Sequence, residues 1–475
     1  MRFRGRRSPF EWEADVKRQR LLATAAVSVV TLAAIAAGVI PAIPWTVRVA
    51  AQARAAGNVD WTLHNLDYGG TRFSTMDQIN RSNVKTLYPR WLFQHGVIDG
   101  VSNQTTPVIV NGVMYVTDSR GSVYAVDAAD GHLLWNFDVT RLIGGGAREG
   151  YVFRNRGVTY GDGVIYTAGG SFLFALDAKT GKPLPTFGEN GQASVILDVL
   201  KKRYEDVKTA ISMGYWFTTA PQYYKGTLYI GSTRSESHIP GGHVLAVDAK
   251  TGKVKWTFNT VPQDTLDQGW DVAGPTWVGG ERNGGGIWET AAIDPELNLL
   301  YMAVGNPFGP SSKRAGMNLF TNSIIALTLD TGKLKWYFQQ THHDVWDYDA
   351  QEPLALVDAT WEGRPRKLLV QANRNGFFYV LDRTDGTFDL FSPVAEQLGA
   401  VLPLPGGPTL LLDAGADVNS PNGDGQTALM LIARGDASVF FTRPISAVLL
   451  AISAVMLVLA VLPMIRSRRD EVFTE

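Results

Sequence analysis

The chain has 475 residues, a formal net charge of −1, 49 glycines, 13 tryptophans and no cysteine. Near-neutrality leaves no electrostatic footprint for nucleic acid. The absence of thiols excludes disulfides, thiolate zinc sites, iron–sulfur clusters and covalently attached c-type haem, so any metal must be held by oxygen or imidazole. Many Gly turns with many aromatics suit a repeated all-β architecture, and the length accommodates one large β domain.

The N-terminus is basic, with Arg2, Arg4, Arg6, Arg7, Lys17, Arg18 and Arg20 ahead of an uncharged run at 21–47. Residues 1–53 are therefore expected to be a signal peptide or signal anchor, with a candidate cleavage site at Ala51-Gln52-Ala53. From Asp60 the chain turns β-like. One pattern recurs: apolar alternation, an Asp, a Gly turn, then Trp or Phe. Its copies are 123–137 (VYAVDAADGHLLWNF), 173–187 (LFALDAKTGKPLPTF), 244–258 (VLAVDAKTGKVKWTF), 324–338 (IIALTLDTGKLKWYF) and 378–392 (FYVLDRTDGTFDLFS). Period-2 alternation marks strands, and Asp-Gly or Thr-Gly between two such runs marks a hairpin. Further strands are expected in between, at 106–117, 163–168 and 227–231. Such self-similarity, several strands per copy with variable spacing, predicts propeller blades over 58–392.

Residues 393–440 read as a linker. An uncharged stretch at 444–465, followed by Arg466, Arg468 and Arg469, is long enough to cross a bilayer core. A membrane helix with a basic cytoplasmic tail is expected over 441–475. The positive-inside rule then puts both basic ends in the cytoplasm and the propeller on the periplasmic face of a bacterial inner membrane.

The repeats, together with Asp60-Trp61 and YGGTRFS at 68–74, resemble the PQQ-dependent (quinoprotein) alcohol and glucose dehydrogenases. The resemblance implies an eight-bladed propeller, of which about five blades are visible, and oxidation of an alcohol or aldose hydroxyl with hydride transfer to metal-bound PQQ. It implies Ca²⁺ or a lanthanide as the metal, and membrane ubiquinone or a separate cytochrome c as electron acceptor. It also assigns residues. Trp288, in GGGIWETA, matches the tryptophan stacked on the quinone. Glu236 and Asn306 match the metal ligands, an oxygen set that suits a hard cation. Asp347, in THHDVWDYD, matches the catalytic base beside the metal, and Asp349 adds a carboxylate that goes with lanthanide use. Arg374, in QANRNG, matches the cation on the quinone oxygens, where a fixed guanidinium suits developing negative charge. Arg156, Thr218, Thr233 and Gln104 match polar groups around the cofactor carboxylates. His342 and His343 are adjacent and do not face one way on a strand, so they read as loop structure.

The chain departs from the family in three places. The adjacent-cysteine disulfide of many members is absent, with Tyr151 or Phe153 the expected ring cover. The family match stops near Ser392. Beyond it, 410–433 resembles part of an ankyrin repeat, and the sequence from 434 resembles the tail of a tricarboxylate transporter's large membrane subunit. The alternative functions are a non-catalytic periplasmic scaffold propeller, which would not need the Glu236, Asn306, Asp347 and Arg374 set, and an inactive fragment.

Overall fold

The computed structural model describes residues 60–97, 103–140, 154–204, 206–232, 239–361 and 364–393. The chain divides into two compact units. The larger, Ala51–Asp358 with Pro365–Glu475, holds nearly all described residues; of the smaller, Met1–Ala50 with Ala359–Arg364, only 359–361 and 364 are described. The expected leader, ankyrin-like segment and C-terminal membrane helix lie outside the described residues, among which no helix is long and apolar enough to cross a membrane.

Among the described residues, the repeats become five antiparallel sheets of four strands each, giving an all-β, propeller-like fold. Sheet I comprises Val108–Val110, Val113–Thr117, Val123–Asp127 and Leu133–Phe137. Sheet II comprises Thr159–Gly161, Val164–Gly169, Phe172–Asp177 and Gln192–Ala193. Sheet III comprises Gln222–Tyr224, Thr227–Gly231, His243–Asp248 and Val254–Asn259. Sheet IV comprises Ala292–Asp294, Leu299–Ala303, Ser323–Thr328 and Leu334–Gln339, and sheet V comprises Ala355–Trp361, Arg364–Ala372, Phe377–Asp382 and Phe388–Pro393. A two-stranded ribbon, Asn283–Gly284 with Pro307–Phe308, sits beside sheet IV's loops.

Four apolar clusters lie between neighbours in chain order: I with II, II with III, III with IV and IV with V. Sheets II, III and IV therefore have an apolar cluster on each face, and their inner strands read as runs of Val, Ile, Leu and Ala with few polar breaks. The Asp-Gly hairpin recurs in one geometry. Gly131, Gly181, Gly252, Gly332 and Gly386 all take left-handed φ values, 66–79°. Their N–H groups donate to the carbonyl four residues back, at Asp127, Asp177, Asp248, Thr328 and Asp382. In four of the five sheets a bulge kinks the third strand against the fourth, between Ala125 and Val126, Ala246 and Val247, Ala326 and Leu327, and Val380 and Leu381.

These turns are also where sheets dock. Trp135 and Tyr115 of sheet I both donate to the Ala178 carbonyl in the turn of sheet II, each at 3.1 Å. Trp256 and Tyr229 of sheet III converge on Leu329 O, at 3.0 and 3.1 Å. Trp336 and Tyr301 of sheet IV converge on Arg383 O, at 3.2 and 2.8 Å. Each indole then lies against the following turn glycine, so closely that a Cβ on Gly181, Gly332 or Gly386 would sit 2.4–2.6 Å from ring carbons.

Sheet II departs from the expected hairpin. Pro183 and Pro185 occupy the stretch that should form its fourth strand, and proline cannot donate to a ladder. The strand is displaced to Gln192–Ala193, and Pro185 stands at the tryptophan position. Only Tyr166 donates to the next turn, at Ala249 O, while Phe187 and Ala193 fill the space over Gly252. A short helix, α1 (Val195–Lys201), follows and buries Val195, Ile196, Val199 and Leu200 in the same core. Its i, i+1, i+4, i+5 spacing puts them on one face.

Meander connectivity sorts the loops. In every sheet the links into the first strand and between the second and third strands fall at one end. The other two links fall at the opposite end. The docking turns therefore occupy one end of each sheet, and the other end is left for chemistry.

Gly163 and Gly332 both have positive φ, but a Cβ on Gly163 meets nothing within 4 Å. Gly163→Ala is expected to cost about 1 kcal/mol from left-handed strain alone. Gly332→Ala is expected to cost about 1–3 kcal/mol more, because the indole of Trp256 must move. Urea unfolding of the two variants measures the difference.

Candidate active site

The sequence-predicted site residues fall on the end of each sheet away from the docking turns. Gln104, Arg156, Thr218, Trp288, Asp347 and Asp349 precede first strands, and Asn306 and Arg374 lie between second and third strands. Glu236 and Thr233 lie outside the described residues, as do Tyr151 and Phe153.

Arg156 is fixed by its neighbour. Buried Asn155 accepts from Thr117 Oγ1 at 2.7 Å and from Gly157 N at 2.7 Å, and donates to Ala168 O at 2.6 Å. The Arg156 guanidinium donates to Thr218 Oγ1 at 2.9 Å and to Thr218 O at 3.2 Å, so these two predicted residues are together. The next residue, Thr219, shares a 3.0 Å hydroxyl contact with Thr290 Oγ1, which also bonds Ala220 O at 3.2 Å. That links the Arg156 cradle to the Trp288 segment. Gln104 is exposed and stands apart from this network.

Half-buried Trp288 is held by a residue the sequence reading missed. Gln351 Oε1 accepts from the backbone N–H of Trp288 at 3.0 Å and of Glu289 at 3.2 Å, while its Nε2 donates to Gly286 O and Ala303 O. Glu289 was also missed. Its carboxylate is buried, with Oε1 3.7 Å from Arg72 Nη2 and 3.8 Å from His64 Nε2. Burial pushes its pKa up, against the lowering pull of Arg72 and Arg156. Burial and the same two arginines push His64 down to about 3, so its imidazole is neutral near pH 7. Burial likewise lowers Arg156, while Glu289 opposes the shift.

Asn306 and Asp347, separated by 41 residues, meet directly. Asn306 Nδ2 donates to Asp347 Oδ1 at 2.5 Å. Asn306 is 4 % exposed, yet its side-chain carbonyl oxygen has no hydrogen-bond partner. A buried amide oxygen without a donor costs about 1–3 kcal/mol, and a hard cation beside a carboxylate is the species that would satisfy it. The donor set thus fits the metal that the sequence implies. Asp349 does not join this pair: its carboxylate forms a close ion pair with Arg374. Asp347 and Asp349 both have left-handed backbones, φ 63° and 50°.

The backbone N–H of Trp346, Asp347 and Tyr348 all donate to the Asp344 carboxylate, at 2.8, 3.1 and 2.9 Å. His343 Nδ1 contacts Gly316 O at 2.8 Å, consistent with a loop role. Glu352 lies beside this group. Burial, reinforced by Asp349, raises its carboxyl to about 7, against lowering contributions from Arg374. Outside this network, the described residues include one cluster of carboxylates and imidazole, half-buried Asp127 with exposed Asp130 and His132, in the sheet I turn at the opposite strand end; Asp127 and Asp130 there accept backbone N–H groups.

The arrangement offers a flat indole, a buried guanidinium with a hydroxyl, a second guanidinium, and an amide–carboxylate pair suited to a hard cation. A planar, anionic, metal-assisted cofactor matches that combination. The family model described as "PQQ: Glucose/ethanol/alcohol dehydrogenase, beta-propeller domain" matches residues 61–398. The quinohemoprotein alcohol dehydrogenase of Comamonas testosteroni is 36% identical over 353 residues, covering 71% of this chain and 47% of that protein. The quinoprotein alcohol dehydrogenase PedH of Pseudomonas putida is 34% identical, over 70% of this chain and 55% of its own length. The solved structure of the Comamonas testosteroni enzyme aligns with a TM-score of 0.61 at 34% identity, covering 72% of this chain and 50% of that one. A europium-containing methanol dehydrogenase aligns with a TM-score of 0.60 at 29% identity, covering 70% and 58%. The chain spans about half the length of the relatives it matches. By sequence and by fold, it belongs to the β-propeller family of PQQ-dependent glucose, ethanol and alcohol dehydrogenases.

Proposed function

We propose that the chain carries the PQQ- and metal-binding part of a site that oxidises an alcohol to a carbonyl compound, with an aldose hydroxyl as the alternative substrate. The observation that carries this reading is the contact between Asn306 and Asp347, with the Asn306 carbonyl oxygen left buried and unmet. PQQ, when bound beside a hard cation, supplies an orthoquinone that accepts two electrons. Trp288 offers the flat apolar face on which a planar ring rests. Arg156 and Thr218 offer donors to a carboxylate. Arg374 is exposed and offers a guanidinium to quinone oxygens, provided it gives up its partner Asp349. Asn306 Oδ1 and the Asp347 carboxylate would hold the cation, with Glu236 as the further ligand expected from sequence, and Asp349 would add a carboxylate only if it gave up its ion pair with Arg374.

Asp347 is the base. Its carboxylate is exposed and takes the proton of a substrate hydroxyl, so that negative charge builds on the substrate oxygen beside the cation. The left-handed backbone at Asp347 directs the carboxylate to Asn306 instead of leaving it to trail into solvent. A membrane quinone or a cytochrome would serve as the electron acceptor. A periplasmic, membrane-anchored location is the setting expected from the basic ends.

Titrating the purified chain with PQQ in Ca²⁺ and then La³⁺, followed by dye-linked oxidation of primary alcohols and glucose, tests this reading. Metal-dependent PQQ binding with turnover is expected. Asp347→Ala is expected to lower kcat by about 10²–10⁴-fold, the range for losing a general base. A folded chain that binds no PQQ with either ion would overturn the proposal.

Glu352 makes a pH prediction for the cofactor-free chain. Its pKa is raised from 4.5 to about 7, so the folded state holds the proton more tightly than the unfolded state. The stabilisation is fully present below pH 4.5 and is lost as pH rises through about 7. Glu352→Gln is expected to flatten this part of the melting-temperature profile, read by thermal denaturation at pH 5, 6, 7 and 8.

A further inference from the structure

We propose that Asp344 is the positioning residue that sets the separation of Asn306 and Asp347, and so tunes metal affinity without touching the metal. This rests on the reading of those two residues as cation ligands.

Asp344 is 2 % exposed and spends both carboxylate oxygens on positioning. Oδ1 accepts from Trp346 N and Asp347 N, at 2.8 and 3.1 Å. Oδ2 accepts from Tyr348 N at 2.9 Å and from Asn322 Nδ2 at 3.0 Å. Three consecutive N–H groups are thereby wrapped around one anion, which draws the chain into the tight bend where Asp347 has φ 63°. The fourth donor reaches the other ligand. Asn322 N donates to Gly305 O at 3.0 Å, and Gly305 immediately precedes Asn306. One buried carboxylate therefore ties both ligand segments together. Arg314 fixes Asp344 in turn, donating to its carbonyl at 2.7 Å.

The charge and both oxygens are needed. An amide in place of the carboxylate turns one accepting oxygen into a donor, whichever way it is flipped, and that donor faces two others. Asp344→Asn is thus isosteric but cannot keep the cradle. Residues that orient metal ligands from behind typically change affinity by about 10–100-fold.

The test is calorimetric titration of the full chain with Ca²⁺ and with La³⁺, well below its melting temperature, for wild type, Asp344→Asn and Asn322→Gly. Asn322 has φ 48°, so glycine keeps its backbone unstrained while deleting the buried side chain that carries the Nδ2 donor. The expected result is ion binding weakened by about 10–100-fold in Asp344→Asn and by less, in the same direction, in Asn322→Gly. Should Asp344→Asn not fold, Asn322→Gly decides alone. Variants that melt earlier but bind the ions as tightly as wild type would overturn the inference and leave the site reading standing. Wild type that binds neither ion would remove both.

Discussion

The fold depends on two aromatic donors converging on one backbone carbonyl. A tyrosine from the second strand and a tryptophan from the fourth strand of one sheet both reach the turn of the next, and the turn glycine lets the indole lie flat against it. A carbonyl has two lone pairs, so both donors are accommodated without competition. Each contact fixes a distance and an angle between two sheets. The bulge in the third strand, beside the residue that pairs with both aromatics, supplies the twist that aims them. Register shows the logic: Tyr115, Ala125 and Trp135 are successive cross-strand partners, as are Tyr229, Ala246 and Trp256. A small alanine between two large rings leaves room for both. In sheet V the corresponding row is Val370, Val380 and Leu390, so that sheet carries no such pair of donors.

Sheet II shows what happens when the pair is incomplete. Without its tryptophan, the interface to sheet III is filled by Phe187, Ala193 and the buried face of α1. The turn geometry survives because the Asp-Ala-Lys-Thr-Gly sequence caps itself: Asp177 accepts from Lys179 N, Thr180 N and Thr180 Oγ1. Local turn chemistry and intersheet docking are thus separable, and the chain varies one while holding the other.

The repeat was legible because alternation, turn glycine and aromatic all fall within fifteen residues. The displaced strand of sheet II was legible in principle too, since Pro183 and Pro185 stand where ladder donors are needed. The site was legible mainly through resemblance, because Asn306, Asp347 and Arg374 come from separate loops and no local period connects them. Asp344, Gln351 and Glu289 went unread for a physical reason. Short polar residues in loops look alike in sequence, and only burial distinguishes a carboxylate gathering four donors from one facing water. Asp349 was expected beside the metal ligands, and the structure pairs it with Arg374. A guanidinium two strands away by sequence finds the nearest carboxylate, and spacing alone does not say which.

Separation of turns from site residues to opposite strand ends has a practical consequence. The first-to-second-strand turns carry Gly112, Gly163 and Gly226, and a Cβ at any of them meets nothing within 4 Å. With no native thiol in the chain, one cysteine placed beside such a turn would be the sole point of covalent attachment. A protein tethered there to an electrode or bead would present its candidate active site outward, at the far end of strands about 17–20 Å long.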